Sequence, residues 1–524
     1  MEYIKKIIVS WKKKTKKEVG GHRYIYLILS SVLLLVFFTR IYRLNDLLMF
    51  NFDQGRDALV IWDLWHKGDF FLIGPVTGLK GIFLGPFYYY LIAPFYLLGG
   101  GNPLIPAYFL VTLSVVAVFM MYFLGKKMHS NAAGIIAAIL GGFSSYIFNH
   151  SRWLSNPNPI LLTSLILIWS MWEILDSKKK SEKNVFWVVA AFFIGVSLHF
   201  EAASAVFYIP VFLVFFVYLF LRGLKENKWR KFLPNLKILM LSFIAFFLTL
   251  VPQLIFNFRN DNILFNNFGS HFVEEKGFGI TKFLIEERSK YFWGLATNIF
   301  IPERQMVATV ILISLMVFTI FFAKKFRKGI LPLFCIFIIT PVVGYTYFRG
   351  NYAVLYGYYM SGYFMPYLLF LSIILGELFK SKLGKLATIV IISLFLIVNG
   401  SVIRKILIDE RMGPIDITFR NQMDAVNWVF EDALELGKFN TDFYVPPVIS
   451  HSYKYLFLWQ ANQRCSDSAC GMSDELVSDL YTLYEADPPH PERLEAWLER
   501  QKGIGKVVKQ ESFGGITVQK RERL

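Results

Sequence analysis

The stretch "GPFYYYLIAPFYLL" occupies 85–98. Whether it crosses a membrane decides the topology of everything that follows it. The surrounding chain reads as a membrane protein: 55% of its 524 residues are hydrophobic and 18% are charged, where soluble chains carry about 25% charged residues. Apolar runs of span length recur at 24–42, 104–124, 131–148, 158–176, 185–199, 203–222, 236–257, 305–323, 329–347, 360–379 and 384–403. If 85–98 also crosses, the basic tracts at 126–127, 178–180, 222–231, 324–328 and 380–385 all fall outside. That inverts the rule that Lys and Arg gather on the cytoplasmic side. The segment's 14 residues make about 21 Å of helix, short of a hydrocarbon core of about 30 Å. It also carries Pro86, Pro94 and a run of tyrosines, as interfacial helices do. Placing it in the outer interface repairs every basic tract together.

The expected architecture is therefore a polytopic α-helical membrane protein with eleven spans. Its N-terminus is cytoplasmic, with Lys5, Lys6, Lys12, Lys13, Lys14, Lys16, Lys17 and Arg23 inside, and its C-terminal region is extracytoplasmic. The first run lacks a small-residue cleavage site and reads as a retained anchor. The net charge of +17 sits in the loop tracts and requires no nucleic acid. The predicted domains are 1–23, a basic cytoplasmic N-terminus; 24–403, the membrane domain with a first external loop at 43–103; and 404–524, a small α/β domain. The outer connections gather three polar motifs: "NFDQGRDALVIWDLWHKGDF" (51–70), "NHSRWLSNP" (149–157) and "HFEAAS" (199–204). Ala58, Leu59, Ile61, Trp62 and Trp65 recur as on an amphipathic helix lying on the membrane surface.

The order of four motifs resembles the GT-C fold glycosyltransferases, which take a sugar from a polyprenyl-phosphate carrier. These motifs are "FDQGRDA", "GPFYYYLIAPFYLLGG", "SRWLSNPNPILL" and "PQLIFNFRND". The branch it resembles is that of the protein O-mannosyltransferases and the bacterial aminoarabinose transferases of lipid A, over roughly 24–403. The resemblance implies a GT-C-like fold and sugar transfer from a lipid phosphate to a hydroxyl of a protein, lipid or glycan acceptor on the outer face. Two positions depart from the family pattern. Asp53-Gln54 stands where Asp-Glu is frequent, and Asn156 and Asn158 stand where an acidic residue is usual. Asp53 is left carrying most of the catalytic weight.

Such a transfer needs a base for the acceptor proton and positive charge for the leaving phosphate. Asp53 is the candidate base; the alternative is that it caps the helix starting near Gln54, unless Asn51 is the cap. Arg56, Lys80, Arg152, Arg259 and Arg349 are candidate phosphate contacts at the outer boundary; the alternative for each is snorkelling to lipid head groups. Asp57 follows Asp53 by one turn, with Arg56 or Lys80 as a partner, and joins Asn156, Asn158 and Tyr345 as candidate substrate-binding residues. His199 and Glu201, with Asp53, could hold a divalent metal cation, the one cofactor the residues suggest. Tyr345, Tyr347, Tyr352, Tyr356, Tyr358 and Tyr359 form an outer cluster suited to sugar stacking or to the interface itself. The polar segment 258–304, with Phe268, Phe272 and Phe278, reads as a covering loop.

After 403 the composition turns soluble. Helical periodicity at 421–437 and 491–501 alternates with strand-like runs at 441–447, 480–487, 505–511 and 515–521, with 453–460 a helix or a buried strand. Cys335 lies in a span, whereas Cys465 and Cys470 fall outside, where a disulfide persists. Two rival functions stand beside the transferase: a transporter or flippase of lipid-linked sugars, and a membrane sensor built around the external domain. Internal repeats and broken mid-membrane helices would favour the transporter. The polar residues instead crowd the outer boundary.

Overall fold

A computed structural model describes residues 20–227, 232–270, 279, 281–349, 354–409, 415–433, 437–446, 449–465 and 470–524. The basic residues Lys5 to Lys17, part of the 222–231 tract, and Phe272, Phe278 and Tyr352 lie outside them. The membrane part is built from α1 (Arg23–Ile41), α2 (Phe52–Lys67), α3 (Phe87–Leu98), α4 (Leu104–Met128), α5 (Asn131–Phe143), α6 (Ser145–Ser151), α7 (Ile160–Asp176), α8 (Lys180–Phe200), α9 (Tyr208–Lys225), α10 (Leu236–Arg259), α11 (Lys282–Phe300), α12 (Gln305–Phe321), α13 (Ile330–Tyr347), α14 (Ser361–Leu378) and α15 (Lys382–Arg404). Among the described residues 8 helices are long and apolar enough to cross a membrane, or up to 10 if each of two bent pairs is one span. The 17 residues of α7 sit at the short end of the spanning range. Helix α3 has 12 residues, about 18 Å, and cannot cross.

The bends have specific causes. α5 and α6 diverge by 62° at Ser144, whose backbone is extended. A break at membrane depth frees backbone groups that lipid cannot satisfy. Here the Ser145 N–H and hydroxyl both donate to Asn399 Oδ1, at 2.8 and 3.0 Å, and the Ser144 hydroxyl donates to the Ile299 carbonyl at 2.7 Å. Asn399 in turn donates to the carbonyls of Phe300 and Phe395. α11 and α12 meet at 94°. The segment 258–304 is thus mostly helix rather than a covering loop. Its charged residues Glu286, Glu287 and Lys290 disguised an amphipathic helix whose Leu284, Thr297, Ile299 and Phe300 are buried. Thr281 caps it, accepting from the Leu284 N–H at 3.1 Å.

The C-terminal part contains α16 (Phe419–Ala433), β1 (Lys438–Tyr444), α17 (His451–Arg464), β2 (Gly471–Met472), β3 (Asp479–Glu485), α18 (Pro491–Lys502), β4 (Gly505–Phe513) and β5 (Ile516–Arg523). Its sheet order is β2-β1-β3-β5-β4, with β1 parallel to β2 and β3, and β5 antiparallel to β3 and β4. Cys465 and Cys470 are joined in a disulfide just past α17.

This small domain grips the first external loop. Gln422 donates to the Phe50 carbonyl at 3.1 Å, Trp459 Nε1 to the Gly100 carbonyl at 2.9 Å, and the Tyr455 hydroxyl to the Gly101 carbonyl. Phe50 lies between the rings of Phe419 and Tyr455, at 5.9 and 5.8 Å. Gly101 has φ +90° and lies against the Trp459 indole, so the turn admits no side chain there. At Gly55 an added Cβ would run into the backbone of His451 and Ser452. Gly55→Ala therefore forces α17 away from α2. The expected result is a lower melting temperature, by an overpacking cost of about 1–3 kcal/mol, with faster protease cleavage inside 415–524. An unchanged melting temperature and digestion pattern would show that the contact is not tight.

Candidate active site

Helix α2 starts where a polar cap meets an amphipathic run. The Asn51 N–H donates to Gln54 Oε1 at 3.1 Å, forming a capping box with Asn51 as the cap residue. Asp53 is therefore not the cap, and its carboxylate serves another role in the first turn, where negative charge suits the helix dipole. Arg56 Nη1 donates to Asp53 Oδ1 at 2.8 Å. Arg56 Nη2 and Nε both donate to Asp57 Oδ1, at 2.7 and 3.0 Å. The three side chains differ in exposure: 54% for Asp53, 16% for Arg56 and 4% for Asp57. The guanidinium thus anchors on a buried carboxylate and presents an exposed one.

The return arm completes this cluster. The Tyr89 hydroxyl, from α3, donates to Asp57 Oδ1 at 2.9 Å. The Tyr90 hydroxyl closes a reciprocal pair with the backbone of Phe71, each bond 2.9 Å. Tyr89 and Tyr90 are thus ties to α2 and to the loop before α3, a role that their reading as interfacial residues did not contain. Burial pushes the Asp57 carboxyl up to about 6, against the pull of Arg56 and Tyr89.

A hairpin-like turn leads into α3. Gly74 N–H donates to the Leu84 carbonyl and Leu84 N–H to that of Pro75, with Val76 bridged to Phe83 and Lys80 near the tip. Asn267 Nδ2 holds the Gly81 carbonyl at 3.1 Å, and Gln253 Nε2 holds that of Phe83 at 3.2 Å. Lys80 is thereby carried to the C-terminal end of α10, where Arg259 occupies the last turn; both are exposed. Asn257 folds the turn after Arg259 by accepting the N–H groups of Leu264 and Phe265.

The remaining candidates divide. Arg152 is buried, and its Nη1 donates to the carbonyls of Arg40 and Tyr42, at 2.7 and 2.8 Å. It closes the C-terminus of α1, a correction to its expected phosphate role: helix-end carbonyls already hold the charge. Asn158 is likewise an internal brace, donating to the carbonyls of Ser151 and Trp153 at 3.0 and 3.2 Å. Asn156 Nδ2 donates to the Phe200 carbonyl at the end of α8. Tyr345 is buried with its hydroxyl on the Ala203 carbonyl, so it builds the wall rather than lining it. Tyr347 and Tyr356 are exposed. Arg349 is also exposed and lies over Gly279.

His199 Nδ1 accepts from the Phe87 N–H at 3.3 Å, and the ring lies so close to Gly85 that a Cβ there would overlap it. Glu201 accepts from the Ala203 N–H at 3.1 Å, as the cap of a short helical turn, Ala202–Ala205. Among the described residues no three or more His, Cys, Asp or Glu side chains come together as a metal site. His199, Glu201 and Asp53 therefore do not form the predicted cluster: His199 accepts from the distant Phe87 N–H and Glu201 from the nearby Ala203 N–H.

Residues 84–252 match the family model of dolichyl-phosphate-mannose-protein mannosyltransferase. The whole chain superposes on ArnT from Cupriavidus metallidurans in its apo state, with a TM-score of 0.62 at 10% identity, covering 96% of this chain and 98% of that one. The chain has a GT-C fold, and its residues 84–252 resemble a mannosyltransferase. ArnT bound to undecaprenyl phosphate gives a TM-score of 0.59 at 12% identity, with the same coverage. The Archaeoglobus fulgidus oligosaccharyltransferase in complex with Zn and sulfate gives 0.53 at 14%, covering 92% of this chain and 71% of that one. No curated protein matches in sequence. The family match begins at 84, after Asp53, Arg56 and Asp57, so their roles rest on geometry.

Asp57 supplies a pH test. Its raised pKa means that the charged form, which anchors Arg56, is present above about pH 6 and is lost as pH falls through that value. The sugar-transfer rate is expected to decline along an acid limb near pH 6. Asp57→Asn removes the titrating group, lowering the plateau and flattening that limb. A pH–rate profile in which the limb survives in Asp57→Asn would assign it to another group.

Proposed function

We propose that this protein transfers a sugar from a polyprenyl-phosphate carrier to an acceptor hydroxyl on the outer face of the membrane, with Asp53 as general base. The observation that carries this reading is the half-exposed Asp53 carboxylate, freed from capping by Asn51 and held by Arg56. The acceptor O–H gives its proton to Asp53 as its oxygen attacks the anomeric carbon. The bond from that carbon to the phosphate oxygen breaks, and the carrier phosphate leaves with the electron pair. A single displacement of this kind inverts the anomeric centre. Exposed Lys80, Arg259 and Arg349, with Arg56, supply the cations for the leaving phosphate. The undecaprenyl phosphate held by the ArnT structure supports a lipid carrier.

Outer-face activity draws support from the opposite end of the bundle. There Arg327 pairs with Asp176 at 2.6 Å and donates to the Lys127 carbonyl, Lys328 pairs with Glu226 at 2.6 Å, and Lys380 and His129 share Glu377 at 2.6 and 2.8 Å. These contacts join the ends of α4, α7, α9 and α14 on one cation-rich face, which the positive-inside rule makes cytoplasmic. The loop bearing Asp53 enters at the other end of α4.

Two measurements test this reading. Purified Asp53→Asn, given labelled polyprenyl-phosphate sugars and a panel of hydroxyl acceptors, is expected to transfer about 10²–10⁴-fold more slowly than wild type at an unchanged melting temperature. Equal rates would remove Asp53 as the base, and uptake of intact donor into proteoliposomes without transfer would favour a flippase. Lys126→Cys is expected to react with an impermeant thiol reagent only from the cytoplasmic side; labelling from outside would reverse the topology.

A further inference from the structure

Helix α17 of the C-terminal domain begins at His451, and its first residues lie on α2 where Gly55 leaves room. The His451 ring packs against Phe52 with 4.9 Å between centroids. The Arg56 guanidinium carbon is 5.9 Å from the centroid of that same Phe52 ring. Phe52 and Arg56 thus connect the imidazole to Asp53, and both Asp53 and Arg56 lie within its electrostatic reach. His451 Nδ1 is buried and has no hydrogen-bond partner among the described residues. A buried polar atom left unpaired is destabilising, so Nδ1 calls for a partner from outside the described residues.

Building on the proposed transfer reaction, we propose that His451 binds the acceptor hydroxyl through Nδ1, making the C-terminal domain part of the acceptor site. The ligand's chemistry follows from the charge of the ring. Burial, with Lys454 and Arg56 nearby, holds the imidazole below its ordinary pKa, so at neutral pH it is uncharged and suits a hydroxyl better than a phosphate. The direction of approach agrees. The carrier's tail stays in lipid, whereas His451 reaches α2 from a soluble α/β domain. Acceptor and donor would then enter from opposite sides of Asp53. His451 is accordingly an acceptor-binding residue, with no proton transfer assigned to it.

Two variants separate the polar atom from the packing. His451→Phe keeps a ring against Phe52 and loses Nδ1; His451→Asn keeps a polar atom near the Nδ1 position and loses the ring. In the full-length purified protein His451→Phe is expected to raise the acceptor KM about tenfold or more. The thermal shift produced by undecaprenyl phosphate, the donor-side probe, should stay as in wild type. His451→Asn is expected to recover most of the acceptor KM. A wild-type acceptor KM in His451→Phe, or a matching loss of the undecaprenyl phosphate shift, would overturn the proposal. Asp53→Asn measured in parallel keeps the two readings apart, because transfer at the wild-type rate there removes the base and leaves the acceptor KM of His451→Phe to speak for His451 alone.

Discussion

Arg56 stands between two carboxylates of unequal burial, and the rest of the outer face is arranged around that inequality. Two of its three side-chain hydrogen bonds go to Asp57 and one to Asp53. A buried guanidinium must be neutralised, since an uncompensated buried charge is strongly destabilising. Asp57 does this from within and is itself held by Tyr89. With Arg56 already neutralised, Asp53 is not required for charge balance. It retains one hydrogen bond that fixes its direction and an exposed side able to meet a substrate. If Arg56 paired with Asp53 alone, the pair would be neutral and closed, a poor base. In the proposed reaction, the buried second carboxylate is what leaves the first one free to act as base.

This arrangement makes demands on distant parts of the chain. Tyr89 reaches Asp57 only because α3 turns back across α2 instead of crossing the membrane, and α3 is placed by the hairpin-like turn that Gln253 holds from α10 and Asn267 from the short helix Ile263–Gly269 after it. His199 braces the exit of that turn at Gly85 and Phe87. The second motif reaches the same surface because α5 breaks at Ser144, a break made tolerable by Asn399 from α15. Each irregular piece of backbone at the outer end is therefore satisfied by a polar side chain from a helix, the condition under which non-helical backbone persists near lipid. The opposite end uses similar devices, Arg327 on the Lys127 carbonyl and Lys183 on those of Ile174 and Leu175. There, helix termini are joined by ion pairs among residues that the sequence places in short basic and acidic loops.

Much of this was legible from the sequence. Charge tracts pointed to 85–98 as the apolar run that fails to cross, because each basic loop votes on the same parity, and the helix there is indeed only 12 residues long. Most strands and helices after 415 were visible from period alone, but 453–460 was left open between helix and strand and the short strand Gly471–Met472 was not read. The long-range polar contacts were not. Arg56 and Arg152 look alike in sequence, each an arginine beside a hydrophobic run at the outer boundary, yet one joins two carboxylates and the other closes the carbonyls of α1. Nothing local distinguishes them, since the carbonyls that claim Arg152 lie 110 and 112 positions away. The 282–300 helix was hidden because its charged face dominates composition while its buried face is spaced too irregularly to stand out. Tyr89 looked interfacial for the same reason: a hydroxyl's partner 32 residues away leaves no mark on the residues around it.

The C-terminal domain follows the same logic of satisfied contacts, with a different purpose. A soluble domain resting on a membrane enzyme by chance would touch it through long, exposed side chains. Here the contact is backbone against backbone at Gly55, and three side chains of α17 hold the carbonyls of Gly100 and Gly101. The disulfide at Cys465 closes the chain immediately after the last of those residues, shortening the loop that could otherwise let the helix end fray. Such a rigid joint is costly to keep in a region that need only be tethered. It is understandable if the start of α17 must sit at a fixed place over the first turn of α2. That turn is where Asp53 is exposed, so under the proposed reaction the joint fixes what stands beside the carboxylate. The shape of what can approach Asp53 from the aqueous side is then determined by the domain as much as by the membrane helices. A change of acceptor among related chains would be met more readily by altering α17 and the loop after it than by altering α2, whose residues are already committed to holding Arg56.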